Sequence, residues 1–100
     1  MKSIMQTKDG TCYLCKKLHD DYSVKPVIQE HHAIYGRANR KMSEKFGLKV
    51  YLCLEHHLAG PEAVHTNPEI SEMVKRDAQL VFTRHYTNFN WMEIFGKNYL

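Results

Sequence analysis

The feature that most constrains this chain is a matched pair of pairs: Cys12-Tyr13-Leu14-Cys15 and Cys53-Leu54-Glu55-His56, each with two residues between the polar ends. A tight turn at that spacing presents both side chains to one ion, so the two pairs together make a tetrahedral Cys3His set of the kind that binds a structural zinc. All three cysteines of the chain are used by it. The alternative is that they are small buried hydrophobes, the usual fate of a free thiol. An odd number of cysteines cannot pair completely within one chain, and in a reducing compartment a close pair binds metal more often than it oxidises. Size points the same way. A chain of 100 residues, 43% hydrophobic, reads as one globular domain with a modest core, to which a metal crosslink between distant segments adds stability.

Other histidines lie beside this set. His57 follows His56 directly, His31 and His32 form a second adjacent pair, and His65 stands a little further on. Residues 27–35 read as a short strand, with Ile28, Glu30 and His32 on one face and Val27, Gln29 and His31 on the other. Adjacent histidines on a strand diverge. A second strand is expected over residues 48–53, and the basic segment between the strands reads as a loop with a helical turn near residues 40–46. The charged segment 16–26 reads as a loop as well, after the turn signal Asp9-Gly10 and the first cysteine pair. Residues 54–59 begin a helix that Gly60-Pro61 must end. Asn67-Pro68 is a capped start for a helix running to about Tyr86, striped by Ile70, Met73, Val74, Ala78, Val81 and Phe82. A last short helix near Trp91 closes at Gly96. The fold class is α+β: a zinc knuckle and a small two-stranded core over 12–65, with a helical extension over 66–100 packing on it.

A closed four-ligand zinc has no open position for substrate, so chemistry must come from the remaining histidines. His57, pinned beside the knuckle, and His31 and His32 on the neighbouring strand could share a second metal. A ligand histidine, a general-base histidine and one or two further ligands are the minimum for metal-assisted phosphodiester hydrolysis. Taken singly, each of these histidines also reads as an ordinary surface or core residue.

The order CYLC, EHHAIYG, YLCLEHH and AVH resembles the HNH endonuclease family of the ββα-metal superfamily in its zinc-stapled form. It is most similar to small bacteriophage proteins with a histidine pair, a loop holding Asn-Arg-Lys, and a Leu-Cys-x-x-His-His segment. The likeness covers roughly residues 12–65, and the tail IFGKNYL also resembles the ends of such proteins. It implies a ββα-metal core in which His31 and His57 ligate a catalytic divalent cation (Mg2+, Mn2+, Ni2+ or Zn2+) and His32 is the general base. Many relatives place a further ligand four residues after the one matching His57. That position is Pro61 here, which cannot coordinate, and His65 is the substitute. The middle asparagine has no counterpart near Leu48, leaving Asn39 as the candidate that orients the base. Glu30 is an outside candidate for a ligand or orienting group.

The expected activity is metal-dependent hydrolysis of DNA, leaving a 5′-phosphate and a 3′-hydroxyl. The alternative is a non-catalytic zinc-stabilised module that binds DNA or another protein. Arg37, Arg40, Lys41, Lys45 and Lys49 face a single acid, Glu44, in the segment between the strands, a local positive patch suited to phosphates in a chain whose formal charge is only +3. The C-terminal aromatics Phe82, Tyr86, Phe89, Trp91, Phe95 and Tyr99 read as packing against the core, with a homodimer or a phage or host partner in recombination or packaging as the other use. No apolar run approaches a membrane span or a secretory signal. The expected place of action is the cytoplasm of a bacterial host, for a phage- or prophage-encoded protein.

Overall fold

The computed structural model describes residues 1–100. The first cysteine pair does not lead into a loop. Cys12 acts as the N-cap of helix α1 (Tyr13–His19), its Sγ accepting from the Cys15 amide, and the helix ends at Asp20, the one non-glycine residue with positive φ. The capping role of the thiol is what a reading of 16–26 as a charged loop overlooks. Strand β1 (Gln29–His32) pairs antiparallel with β2 (Lys49–Leu52), placing His31 opposite Val50 and His32 opposite Lys49. Both strands are shorter than expected, and after β1 Ala33 and Ile34 are buried in the core. The outer edge of β2 is covered rather than left open. Ser3 donates to the Lys49 carbonyl and the Tyr51 amide donates to Gln6 Oε1.

Between the strands lies a full helix, α2 (Arg37–Phe46), where a mostly irregular basic loop was expected. Its residues are good helix formers, and its ends are marked by glycine. Gly47 closes it in the left-handed region at φ 72°, donating to the carbonyls of Glu44 and Ser43. A Cβ there would also run into the Lys2 carbonyl oxygen, so glycine is required twice over. Ser43 fixes the helix to the end of β1, donating to the Ile34 carbonyl at 2.6 Å and accepting from the Ile34 amide at 3.2 Å.

After Cys53 the chain makes a single π-turn, Glu55–Ala59, closed by the Gly60 amide on the Glu55 carbonyl at 2.7 Å. The wide turn leaves no room at Gly60, where a Cβ would lie 2.6 Å from Glu55 Cγ and 2.8 Å from its carbonyl oxygen. The following loop folds back on itself. The Val64 amide donates to the His56 carbonyl, and Asn67 Nδ2 to the Pro61 carbonyl.

Helix α3 (Pro68–His85) starts as its cap signal indicates, Asn67 Oδ1 accepting from Glu69 and Ile70. Its buried face is Ser71, Val74, Ala78, Gln79 and Phe82, so the apolar stripe is rotated from the expected one. Val81 lies outside the core, Ile70 and Met73 flank it, and two polar residues are inside. Both are satisfied, Ser71 by Tyr35 and Gln79 by Asn98 and the Tyr99 amide. Helix α4 (Trp91–Phe95) ends at Gly96. The result is a small α+β structure around one core of 15 residues that joins Cys12, Leu14 and Cys15 to Phe82, Trp91 and Phe95. No helix is long and apolar enough to cross a membrane.

Phe82 holds the C-terminal helices to the rest, with edge contacts to Phe46, Trp91 and Phe95 at centroid distances of 5.3, 5.3 and 6.3 Å. Phe82→Ala is expected to cost about 3–5 kcal/mol, measured by denaturant unfolding. A loss below about 1 kcal/mol would show that the C-terminal helices are not anchored through this ring.

Candidate functional site

The knuckle residues meet as their spacing requires. His56 Nδ1 lies 3.7, 3.3 and 3.4 Å from the sulfurs of Cys12, Cys15 and Cys53, and the sulfurs of Cys15 and Cys53 are 3.8 Å apart. A tetrahedral zinc with bonds of about 2.3 Å to sulfur and about 2.05 Å to nitrogen sets these separations at about 3.8 and about 3.6 Å. A disulfide, with sulfurs at about 2.05 Å, does not fit them. Burial, followed by the neighbouring thiols of Cys12 and Cys53, pushes the Cys15 thiol up to about 12. Three thiolates in that space therefore need a cation among them. The four residues form a metal-binding group whose geometry and donor set are those of a structural zinc. The other imidazole nitrogen, His56 Nε2, faces Glu62 at 3.6 Å, and His19 Nε2 meets the same carboxylate oxygen at 2.7 Å.

A second group assembles beside it from three separate elements. His31 comes from β1, His57 from the π-turn and His65 from the loop that the turn sends back, and their ligand nitrogens lie within 4.8 Å of one another. His57 Nε2 and His65 Nε2 are 3.2 Å apart, within the range of about 2.9–3.3 Å for two imidazole nitrogens on one ion. Pro61 thus does not prevent a third imidazole, because the turn at Gly60 returns the chain to His57 four residues later than a helix would. Burial, then the neighbouring His65 and His57, holds His31 down to about 3, and burial with His65 also lowers His57. Both rings are therefore kept neutral with lone pairs to offer. Three protein donors leave coordination positions open.

His32 turns to the other face of β1, as the alternation indicates. Its Nε2 lies 2.9 Å from Glu44 Oε1, with Glu30 at 3.8 Å. The Glu44 carboxyl is held down to about 2 by hydrogen bonds from His32, the N-terminal ammonium and Lys49. Asn39, the residue expected to orient the base, makes no hydrogen bond to His32; that position is taken by Glu44, whose side chain reaches β1 only because the segment is helical. Lys49 also departs from expectation. Its side chain is 8% exposed and ion-paired to Glu30 at 2.7 Å and Glu44 at 3.1 Å, so it is spent inside the protein rather than offered to phosphate. Burial opposes its charge, and the bonds to the two carboxylates outweigh that and raise its pKa.

His31, His32, His57 and His65 all line one cleft of about 1030 Å³. Arg37, Arg40, Lys41 and Glu44 form its helical wall, the last three standing three, four and seven positions after Arg37 on a single stripe of α2. Lys45 lies off that stripe, its ammonium 5.6 Å over the Phe46 ring. Sequence reasoning passed over Glu44, Gln29 and Tyr35. Glu44 had one visible signal, as the lone acid in a basic run, while Tyr35, whose ring lies 5.6 Å from His31 and 5.5 Å from His65, had none.

No family model, no curated protein and no solved structure matches this chain.

Chelation under reducing conditions is expected to remove the metal at the sulfur site and destabilise the fold. A loss of about 3 kcal/mol would lower the midpoint of a domain this size by roughly 12–24 °C. Metal content measured alongside a thermal melt tests this, as does Cys53→Ala. An unchanged melt after the metal has left would contradict a structural role.

Proposed function

We propose that the chain is a metal-dependent HNH-type endonuclease that hydrolyses phosphodiester bonds in DNA, with β1, β2 and the π-turn serving as its ββα-metal core. The observation that carries this reading is the meeting of His31, His57 and His65 in one cleft with a carboxylate-oriented imidazole, His32, and a cationic wall. When bound, a divalent ion supplies Lewis-acid stabilisation of charge on the phosphoryl and leaving oxygens. A nitrogen donor set suits zinc, nickel or manganese on affinity, and magnesium stays a candidate through the family resemblance.

His32 acts as the general base. Glu44 accepts from Nε2–H, so the Nδ1 lone pair is the one free to take a proton from water, and the carboxylate stabilises the imidazolium that results. Lys49 keeps Glu44 anionic through this exchange. The orienting role that the resemblance assigned to Asn39 thus passes to Glu44. Arg37, Arg40 and Lys41 hold backbone phosphates along the cleft wall, contacts that position a strand without reading its bases.

Cleavage of supercoiled plasmid with added magnesium, manganese, nickel or zinc tests the reading. His32→Ala is expected to lower the rate by about 10²-fold or more with the sulfur-site metal retained. No cleavage with any ion, or equal cleavage by both proteins, would favour a zinc-stabilised binding module without catalysis. A separate expectation concerns binding. Arg40→Ala with Lys41→Ala should weaken unrelated DNA sequences alike and reduce the slope of log affinity against log salt by roughly 2, whereas Lys45→Ala should change neither appreciably.

A further inference from the structure

Two of the three clustered histidines have a visible reason for their position, His31 through its strand and His65 through the returning loop. His57 is different, because a π-turn one turn long does not by itself decide which ring nitrogen points at its neighbours. One side chain does. Gln29 Oε1 lies 2.7 Å from His57 Nδ1, and this is the only hydrogen bond that the Gln29 side chain makes. Gln29 stands two residues before His31 on the same face of β1, opposite Leu52, which precedes Cys53 at the entry to the π-turn. Strand and turn are thus tied together directly beneath the histidine cluster.

We infer that Gln29 is a positioning residue for the cleft metal: its amide oxygen holds His57 in the Nδ1–H tautomer and aims the Nε2 lone pair at the point shared with His31 and His65. This rests on the reading of those three histidines as a metal site. An amide oxygen can only accept, so a contact at 2.7 Å places the proton on Nδ1 and leaves Nε2 bare. His57 Nε2 then accepts from His65 Nε2–H across 3.2 Å. Of that pair, His57 is ready for an ion as it stands. His65 is the one that must move its ring proton to Nδ1 before it can coordinate. Partners that fix a ligand imidazole's tautomer and raise its basicity commonly change metal affinity by about 10–100-fold.

The alternative tautomer has a definite cost here. With the proton on Nε2, His57 would face an amide oxygen with a second lone pair and offer the ion no donor. Gln29→Met keeps the length and most of the volume of the side chain and removes the acceptor. Gln29→Glu keeps an acceptor and makes it anionic.

The experiment uses the full chain with its sulfur-site zinc in place. Long-range proton–nitrogen correlation spectra report the tautomer of His57, and titration calorimetry with Ni2+ reports binding of a second ion, for the unaltered protein, Gln29→Met and Gln29→Glu. The expected result is an Nδ1–H His57 in the unaltered protein, a second Ni2+ bound about 10–100-fold more weakly by Gln29→Met, and binding by Gln29→Glu at least as tight as by the unaltered protein. Equal binding by Gln29→Met, or an Nε2–H His57 in the unaltered protein, overturns the inference and leaves the metal site standing. Absence of any second Ni2+ in the unaltered protein overturns both together. Zinc content measured on each variant separates loss of the tether from loss of fold.

Discussion

Three sulfurs and one imidazole nitrogen drawn to within 4.8 Å of each other, from segments 41 residues apart, set the frame for the rest of the molecule. The first segment starts α1 with a thiol cap, and the second ends β2 and opens the π-turn. Without a cation this arrangement would press buried thiols and an imidazole together for little return. With one, it crosslinks the start of α1 to the segment that follows β2, and His57 is the residue immediately after the last of the four donors. The backbone position of His57 at the cleft is then a consequence of where the sulfur site ends.

The two faces of β1 divide the chemistry between adjacent residues. His31 and Gln29 face the π-turn, where burial keeps an imidazole neutral and an amide oxygen orients another. His32 and Glu30 face α2 and Lys49, where carboxylates and an ammonium set the charge. A one-residue slip of the β1–β2 register would exchange these environments, placing His32 at the histidine cluster and His31 among the carboxylates. Ser43, bonded to both polar backbone groups of Ile34, holds α2 against the end of β1 and so keeps Glu44 within reach of His32. The basic wall of the cleft is the same helix face, so Arg37, Arg40 and Lys41 share one element with the carboxylate bonded to His32.

Much of the local punctuation could be read directly. Asn67-Pro68 starts a helix and Gly96 ends one, and Cys12, Cys15, Cys53 and His56 announce their grouping by spacing. These signals work because the interacting groups are near neighbours in the chain. Where a local signal is of an unusual type, or a partner comes from far away, the sequence pattern is silent. α1 reads as a loop in the sequence because its cap is a cysteine rather than a serine or aspartate. α2 reads largely as a loop because its few apolar residues give no apolar stripe, while its regular stripe is the charged one of Arg37, Arg40, Lys41 and Glu44. Ser71 and Gln79 do not read as core residues because their partners, Tyr35 and Asn98, lie outside α3.

Sequence alone determined which atoms could bind metal and the opposed directions of His31 and His32, since ligand spacing and strand alternation are properties of a few consecutive residues. Tertiary structure decided the rest. It brought His65 back to His57 through a turn that leaves room only for glycine at position 60, set Glu44 rather than Asn39 against His32, and turned Lys49 from a surface cation into an internal counter-ion. Each of these depends on distances between elements, set by how the helices and the strand pair pack around one core, and no window of neighbouring residues contains that information.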